Sequence, residues 1–452
     1  MHASVAFEAR NPYTPKSLKT FALDRCQTGQ EVDVGTWGVY SEVGRLRTVM
    51  VHQPGWEHRR MLPWNKAAML FDDILDVDFA RPEHKELVHK MQNHGVRVLY
   101  FADLLKDVCA QPSRHEELVR EVVPPDLLGE TDPMAIQPTH LIMGYPEVYR
   151  LDEPIMLEPL PNLYFQRDPA FFIADKLIVS SPHFRIRRRE AALARAVYKR
   201  HPMFEGLEIY DGIFETEGET IEGGDVLVAD EHTVLVGISE RTNEAGVEHL
   251  ARYLFANTDI EKVGKVFIPH LHEFMHLDTL LTFVDRQQII TLPMFWEEPA
   301  LYAEAARRVK AQCERFGTEY PGPDPDQFTQ RLKLEMLDRH GDRRSYDNVL
   351  EGLANEEVIV PEITVTVSGD RRNFTSPGEH ILEALREQWN DAANTFALKP
   401  GTVLSYSRNG STRRALEAAM VEVVPFPGGE LVRGRGGPRC MTMPVERDGV
   451  GF

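Results

Sequence analysis

The chain has 452 residues, of which 42% are hydrophobic, so it is long and apolar enough to bury a large core. Its 51 Lys and Arg stand against 70 Asp and Glu, and the net charge of -19 argues against nucleic acid and anionic membranes as partners. The four cysteines are widely spaced and form no CxxC pair, which argues against a disulfide framework or a zinc ribbon and favours a cytoplasmic location.

Residues 1–35 are polar and contain no apolar segment of the signal-peptide kind. We expect a loosely held N-terminal extension there and a single catalytic domain over residues 36–452. No stretch of the sequence is long and apolar enough to span a bilayer. The domain begins with a predicted strand, helix and strand at residues 46–52, 84–94 and 96–101.

One pattern then recurs four times: two strands joined by a tight turn, a helix, and a third strand. The predicted segments are 171–180, 188–200 and 207–210; 225–238, 244–256 and 265–268; 280–292, 304–316 and 357–367; and 395–407, 411–420 and 421–426. The first unit lacks one strand, which residues 440–445 could supply, closing a ring between the chain ends. The sequence therefore predicts an α/β fold of about five ββαβ units packed as a ring.

Two stretches interrupt the repeats. Residues 102–149 are rich in Leu, Glu and Arg and predict a small helical insertion. Residues 317–356 begin with a proline-rich loop, and 331–340 predict a helix within them. Whether either insertion acts as a lid, a subunit contact or plain scaffold stays open.

Polar residues that break the apolar pattern lie just before the predicted hairpins. They are grouped at Asn162 to Asp168, Glu222 to Asp225, His276 to Asp278 and Gln388 to Asp391. Equivalent units would bring these groups together at one end of the ring, which predicts an active site. Each group also has a simpler interpretation: a capped or tight turn for Asp168 and Glu222, and a core histidine for His276.

Cys440 lies in a glycine-rich, basic segment, residues 433–444. Glycine allows a ligand to approach the backbone closely, and neighbouring arginines favour a thiolate over a thiol. We therefore interpret Cys440 as a nucleophile rather than as a buried structural cysteine.

A metal site must be weighed as well. His270, His272, His276 and Asp278 are close in sequence and could ligate zinc, but their spacing matches no established zinc motif. We predict no metal and no cofactor. A basic run at residues 185–189 is typical of a solvated face, although cations at a helix start hint at an anionic ligand.

A thiolate, a histidine and several carboxylates suit attack on a cationic carbon. Asp168 and Asp278 could bind a planar guanidinium and hold its carbon against Cys440. His276 would protonate departing ammonia and then activate water, with Glu222 orienting it. The resulting intermediate is a thiouronium on the cysteine.

Motifs along most of residues 38–446 carry a resemblance to a known family. They are Val39 to Glu42, Leu70 to Leu75, Asn162 to Pro169, Arg187 to Glu190, Glu222 to Asp225, Ser239 to Thr242, Met275 to Thr279, Arg386 to Trp389 and Arg435 to Met443. In their order and spacing, the chain resembles bacterial arginine deiminases of the guanidino-modifying superfamily. The resemblance implies a five-bladed α/β propeller that hydrolyses L-arginine to L-citrulline and ammonia.

The resemblance also implies residue roles. Cys440 would be the nucleophile, His276 the acid and base, Glu222 its partner, and Asp168 and Asp278 the guanidinium clamps. The residues implied at the amino-acid end of the substrate are Asn162, Arg187, Arg241 and Arg435, with Leu70, Phe165 and Gly434 lining the site. Three arginines suit an α-carboxylate, which argues against agmatine.

Three alternatives stay open. The first is transfer of the amidino group to an amine, or deimination of a modified arginine, and the second is a non-catalytic propeller used as a binding module. The third is the metal site. The expected partner is a small molecule, and whether the protein forms a homo-oligomer stays open.

Overall fold

Short strands and amphipathic helices alternate along the chain. The structure is a computed structural model that describes residues 37–129, 131–146, 155–295, 299–320, 322, 324–329 and 331–451. Its strands are β1 (Gly38–Val39), β2 (Leu46–Val51), β3 (Arg97–Tyr100), β4 (Ala170–Ile173), β5 (Lys176–Val179), β6 (Glu208–Tyr210), β7 (Val226–Val228), β8 (Thr233–Ile238), β9 (Lys262–Phe267), β10 (Leu281–Asp285), β11 (Gln288–Thr291), β12 (Lys333–Asp338), β13 (Arg343–Tyr346), β14 (Val365–Thr366), β15 (Phe396–Lys399), β16 (Thr402–Tyr406), β17 (Glu422–Phe426) and β18 (Met443–Arg447). Its α-helices are α1 (Trp56–Arg59), α2 (Val77–Asn93), α3 (Phe101–Cys109), α4 (Pro112–Val122), α5 (Pro125–Leu128), α6 (Pro138–Met143), α7 (Arg188–Arg200), α8 (Gly212–Glu215), α9 (Glu244–Asn257), α10 (Pro299–Phe316), α11 (Val349–Asn355), α12 (Pro377–Trp389) and α13 (Gly410–Ala418).

Within the described residues, the strands form five sheets, and the fold is α/β. The sheet orders are β1-β18-β2-β3, β4-β5-β6, β13-β12-β9-β8-β7, β10-β11-β14 and β15-β16-β17. In the four sheets after the first, an antiparallel hairpin is followed by a helix and by a third strand parallel to the second. This order confirms the predicted ββαβ units. The third strand of the β10 sheet, predicted over 357–367, is confined to Val365–Thr366.

The C-terminal strand completes the first sheet. β18 pairs antiparallel with β2, with Met443 opposite Met50, and parallel with β1. This confirms that the C-terminal segment supplies the strand missing from the first unit. The strand begins at Met443, however, so the predicted start at Cys440 is wrong: Cys440 lies in the preceding turn, where the Thr442 amide donates to the Arg439 carbonyl.

The first insertion is helical as predicted. Helices α3 to α6 fill the described part of residues 102–149; residues 130 and 147–149 lie outside the described residues, as does the predicted extension at 1–35. The boundaries of a single catalytic domain stay a prediction. No helix in the described ranges is long and apolar enough to cross a bilayer.

The second insertion differs from the prediction. Residues 331–340 are not helical; β12 and β13 form a hairpin whose first strand pairs antiparallel with β9. Leu332, Leu334 and Met336 are buried while Lys333 is exposed, which is the two-residue period of a half-buried strand. Helix α11 accounts for the helical part of this insertion in the described residues.

Helices cover the sheets with their apolar faces. Leu193 and Val197 of α7 are fully buried, and α7 packs on β4 and β5. Burying a leucine-sized side chain contributes about 1.5–3 kcal/mol. Every residue of β8 is buried, and the strand lies between β9 and β7 in its sheet. These packed strands fix the loop ends that carry the polar residues.

Candidate active site

The polar groups predicted before the hairpins do lie together. Short 3₁₀ turns at Gly223–Asp225 and Leu277–Thr279 stand directly before β7 and β10, and Asp168 stands two residues before β4. The turn that carries Cys440 precedes β18. Three hairpin entrances and the turn before β18 therefore deliver side chains to one buried centre.

His276 lies between two carboxylates. Its Nε2 is 3.0 Å from Glu222 Oε2, and its Nδ1 is 4.0 Å from Asp168 Oδ1. Burial lowers the His276 pKa, but the surrounding carboxylates of Asp168, Glu222 and Asp225 together raise it to about 9. His276 is therefore protonated at neutral pH and can act as an acid.

The glycines of the Glu222 to Asp225 turn make room for this histidine. A Cβ on Gly224 would lie 2.6 Å from His276 Nδ1, so only glycine fits there without displacing the ring. Asp225 then fixes the backbone: its Oδ1 accepts from the Leu277 amide at 2.9 Å, and its Oδ2 accepts from Ser239 Oγ at 2.7 Å. Sequence reasoning recognised this motif but gave Asp225 no role.

Cys440 is buried against Asp278. Its Sγ is 3.7 Å from Asp278 Oδ2, and Asn394 Oδ1 accepts from both the Arg439 and Cys440 amides at 3.1 Å. The Asn394 side chain also donates to the Asp278 carbonyl at 3.1 Å. Asn394, which the sequence did not single out, thus ties the nucleophile turn to the β10 entrance.

The expected activation of Cys440 by neighbouring arginines is wrong for this structure. Burial, followed by the charges of Asp278, Asp168 and Asp391, raises the pKa of the Cys440 thiol well above its usual range. Arg439 turns its guanidinium away to Asp278 Oδ2 and Glu42, and Arg435 lies over the Trp389 ring at 3.8 Å. The sulfur at rest is therefore a thiol.

Besides Asp391 Oδ2, two buried carboxylate oxygens near Cys440 have no hydrogen-bond partner among the described residues: Asp168 Oδ1 and Asp278 Oδ1. Their second oxygens are engaged, Asp168 Oδ2 by Arg187 at 2.9 Å and Asp278 Oδ2 by Arg439 at 2.9 Å. Buried unpaired carboxylate oxygens are unfavourable unless a cation or donor meets them. The site is thus built to accept a cationic hydrogen-bond donor.

The arginines predicted at the amino-acid end are all buried, but in different settings. Arg187 Nη1 donates to Asp168 at 2.9 Å and to Glu222 at 3.2 Å, and its Nε donates to Glu190 at 3.0 Å. Arg241 lies 4.5 Å over the Phe184 ring, with its Nη1 3.9 Å from Glu222. In this structure Arg187 therefore bonds to the carboxylates of Asp168, Glu222 and Glu190.

Arg435 is buried and lies in the left-handed region, with φ of 58°. Its Nη1 is 3.6 Å from Asp72 Oδ2. Leu70, also left-handed with φ of 63°, is half-buried on the loop that carries Asp72. Such strained residues cluster at ligand-binding positions.

The remaining predicted residues lie beside residues 69–71, the segment that carries Leu70. Asn162 Nδ2 donates to the Met69 carbonyl at 2.8 Å, and the Phe165 ring is 6.4 Å from that of Phe71. A Cβ on Gly434 would lie 1.9 Å from the Tyr164 hydroxyl oxygen, so this position requires glycine. The substrate-binding roles of these residues stay predictions.

The histidine-rich zinc alternative is contradicted by the geometry. His272 contacts Asp72 at 3.0 Å rather than Asp278, and His270 is exposed. Asp168, Glu222 and His276 do offer ligand atoms within 4.8 Å of one another. However, the Arg187 guanidinium already bonds to both carboxylates and His276 is protonated, which opposes a metal cation.

A buried thiol, a protonated histidine and two open carboxylate oxygens define a cysteine-dependent site for a cationic group. The arginine deiminase family model matches residues 67–132 and 134–447, and the chain belongs to that family. It is 33% identical over 439 residues to the arginine deiminase of Listeria welshimeri, covering 91% of this chain and 98% of that protein. Arginine deiminase 1 of Staphylococcus epidermidis is 30% identical over 442 residues, with the same shares covered.

Solved structures share the fold. The amidinotransferase SxtG of the saxitoxin pathway, from Microseira wollei, superposes with a TM-score of 0.50 at 15% identity, over 92% of this chain and 98% of that one. The N-terminal domain of ArgZ, an arginine dihydrolase from Cyanobacteria, also gives 0.50, at 14% identity over 88% and 98%. At these identities the likeness concerns the fold alone.

Proposed function

We propose that this protein hydrolyses L-arginine to L-citrulline and ammonia through a covalent intermediate on Cys440. The observation that carries the proposal is the pair of open carboxylate oxygens, Asp168 Oδ1 and Asp278 Oδ1, beside Cys440 and protonated His276. A guanidinium offers planar N–H edges to two carboxylates at once. Relatives named arginine deiminases, matched over nearly their full length, support the same reaction.

The reaction begins with the charge of the substrate. A guanidinium bound between Asp168 and Asp278 favours loss of the Cys440 proton to solvent, and the thiolate attacks the guanidinium carbon to form a C–S bond. His276 gives its proton to the departing nitrogen, the C–N bond breaks, and ammonia leaves a thiouronium. Neutral His276 then takes a proton from water, and hydroxide attacks the same carbon. The C–S bond breaks, and the proton of the new hydroxyl group passes to the departing sulfur, which restores the thiol and releases citrulline.

The resemblance and the arrangement of elements extend the proposal. The five sheets would be the blades of a five-bladed α/β propeller, with the site at its axis. Asn162, Arg187, Arg241 and Arg435 would recognise the amino-acid end of arginine, with Leu70, Phe165 and Gly434 lining the site. The three free described cysteines, Cys109, Cys313 and Cys440, support a cytoplasmic location.

Incubation with L-arginine alone tests the proposal. Citrulline and ammonia released one for one, by the wild type and not by a Cys440→Ser variant, are the expected result. Ornithine appearing only when an amine acceptor is added would instead establish amidinotransfer. Turnover of agmatine as fast as arginine would contradict recognition of the carboxylate.

A further inference from the structure

Arg439, next to the nucleophile, is fully buried and spans two carboxylates. Its Nε and Nη2 form a parallel pair of bonds to Glu42, both 3.0 Å, and its Nη1 donates to Asp278 Oδ2 at 2.9 Å. Nη2 also donates to the Val226 carbonyl at 2.6 Å. A bidentate pair fixes the plane of a guanidinium, so Arg439 Nη1 is held in the direction of Asp278.

Glu42 is itself held by the sheet. The Val228 amide of β7 donates to its Oε1 at 3.1 Å, and Arg439 dominates the charges that lower its pKa to about 2 despite burial. Glu42 therefore stays ionised and immobile. The contacts run from the β7 backbone through Glu42 and Arg439 to Asp278, whose Oδ2 is 3.7 Å from the sulfur of Cys440.

We propose that Glu42 and Arg439 are positioning residues that present Asp278 to the substrate with one oxygen committed and the other free. The inference rests on the proposed function, since it concerns the carboxylate that would clamp the guanidinium. Without the hydrogen bond from Arg439 Nη1, the Asp278 carboxylate can rotate and offer either oxygen to the guanidinium. The guanidinium carbon is then no longer held in line with the Cys440 sulfur. Arg439 also favours the ionised form of Asp278, because its Nη1 is 2.9 Å from Oδ2 of this buried carboxyl.

The matched test compares two buried arginines. Arg447 is equally buried but donates to the carbonyls of Gly44 and Ala397 rather than to a carboxylate. We expect Arg439→Lys to lower kcat/KM for arginine by about a hundredfold, the loss typical of a misplaced reacting group. Arg447→Lys should lose thermal stability but keep kcat/KM per folded molecule within about threefold. Equal losses from both variants would overturn the inference.

A pH profile separates positioning from mere loss of structure. Asp278 faces Arg439, Arg167, His276, Asp168, Cys440 and Asp391. Burial raises the pKa of Asp278 and Arg439 is the strongest charge opposing this. Arg439→Gln should therefore move the acid limb of kcat/KM up by about one to three pH units. An unmoved limb contradicts the inference.

A readout without substrate distinguishes the two proposals. Alkylation of Cys440 by iodoacetamide, followed by peptide mass spectrometry, reports its ionisation whether or not arginine is turned over. Glu42→Gln removes a negative charge and leaves Arg439 to Asp278 alone, so the alkylation profile should move to lower pH. A folded Glu42→Gln variant with the wild-type profile overturns the inference. Absence of citrulline from the wild type overturns only the proposed function.

Discussion

Two buried arginines divide the site into unlike halves. Arg187 bonds to three carboxylates, those of Asp168, Glu222 and Glu190, and this half holds His276 as a cation. Arg439 bonds to two, Glu42 and Asp278, and its half holds Cys440 as a neutral thiol.

One set of charges keeps both His276 and Cys440 protonated. Burial opposes charge on either group, but negative charges favour the histidine cation and disfavour the thiolate. Asp168 acts on both, raising the pKa of His276 and that of Cys440. Without substrate, His276 and Cys440 therefore both carry a proton. A cation that enters between them would favour loss of the proton from the Cys440 sulfur.

The largest effect should come from the sulfur itself. Cys440→Ser should lower kcat by at least about 10⁴-fold, because the proposed covalent intermediate forms on this sulfur. Citrulline formation under saturating arginine measures this loss. The variant should still bind arginine, as calorimetry can show; loss of binding together with turnover would mean that the substitution disrupts the clamp.

Neutralising Asp278 should lower turnover and raise thiol reactivity. Asp278→Asn removes a clamp, so kcat/KM should fall by about 10²–10³-fold. It also removes the nearest negative charge from the sulfur, so Cys440 should be alkylated faster at neutral pH than in the wild type. If kcat/KM and the alkylation rate of Cys440 both fall, Asp278 does not oppose the thiolate, and the contrast between the two halves of the site is wrong.

Glu222→Gln should affect the histidine half alone. Glu222 hydrogen-bonds His276 at 3.0 Å, so its neutral replacement should lower the His276 pKa from about 9. A proton donor is lost as pH rises through its pKa, so the alkaline limb of kcat/KM should move to lower pH, with a loss of about 10²-fold at high pH. The imidazole resonances of His276 in NMR titrations provide the direct measurement. An unmoved histidine titration would contradict its pairing with Glu222.

The sequence predicted the hairpin units because these depend on local signals, whereas the roles of the site residues stay predictions. Alternating strands and turn residues indicate hairpins, and Asp168, Glu222 and His276 stand at their entrances. It did not predict the β12–β13 hairpin, because the charged residues at its exposed positions also fit the pattern of a helix. It also did not predict which residues the Arg439 side chain contacts.

The contacts of Arg439 show why the rest could not be predicted. Adjacency to Cys440 suggested a thiolate stabiliser, but the guanidinium instead bonds to Asp278 and to Glu42, near the opposite end of the chain. Glu42 belongs to the Val39 to Glu42 motif, but no role was predicted for it. Pairings between distant segments follow from the packing of the sheets, and no local spacing encodes them.

The smallest expected effect is the most direct test of the two halves. Guanidinium ion, added to wild type at neutral pH, should increase the ultraviolet thiolate absorbance about tenfold, because a cation near the sulfur lowers its pKa by one unit or more. Cys440→Ser should show no increase. Cys109 offers an internal comparison: burial alone raises its pKa to about 11, and it has no carboxylate cause to reverse. A rise that persists in Cys440→Ser would assign the signal to another thiol, whereas no rise in wild type would mean that the substrate charge does not activate Cys440.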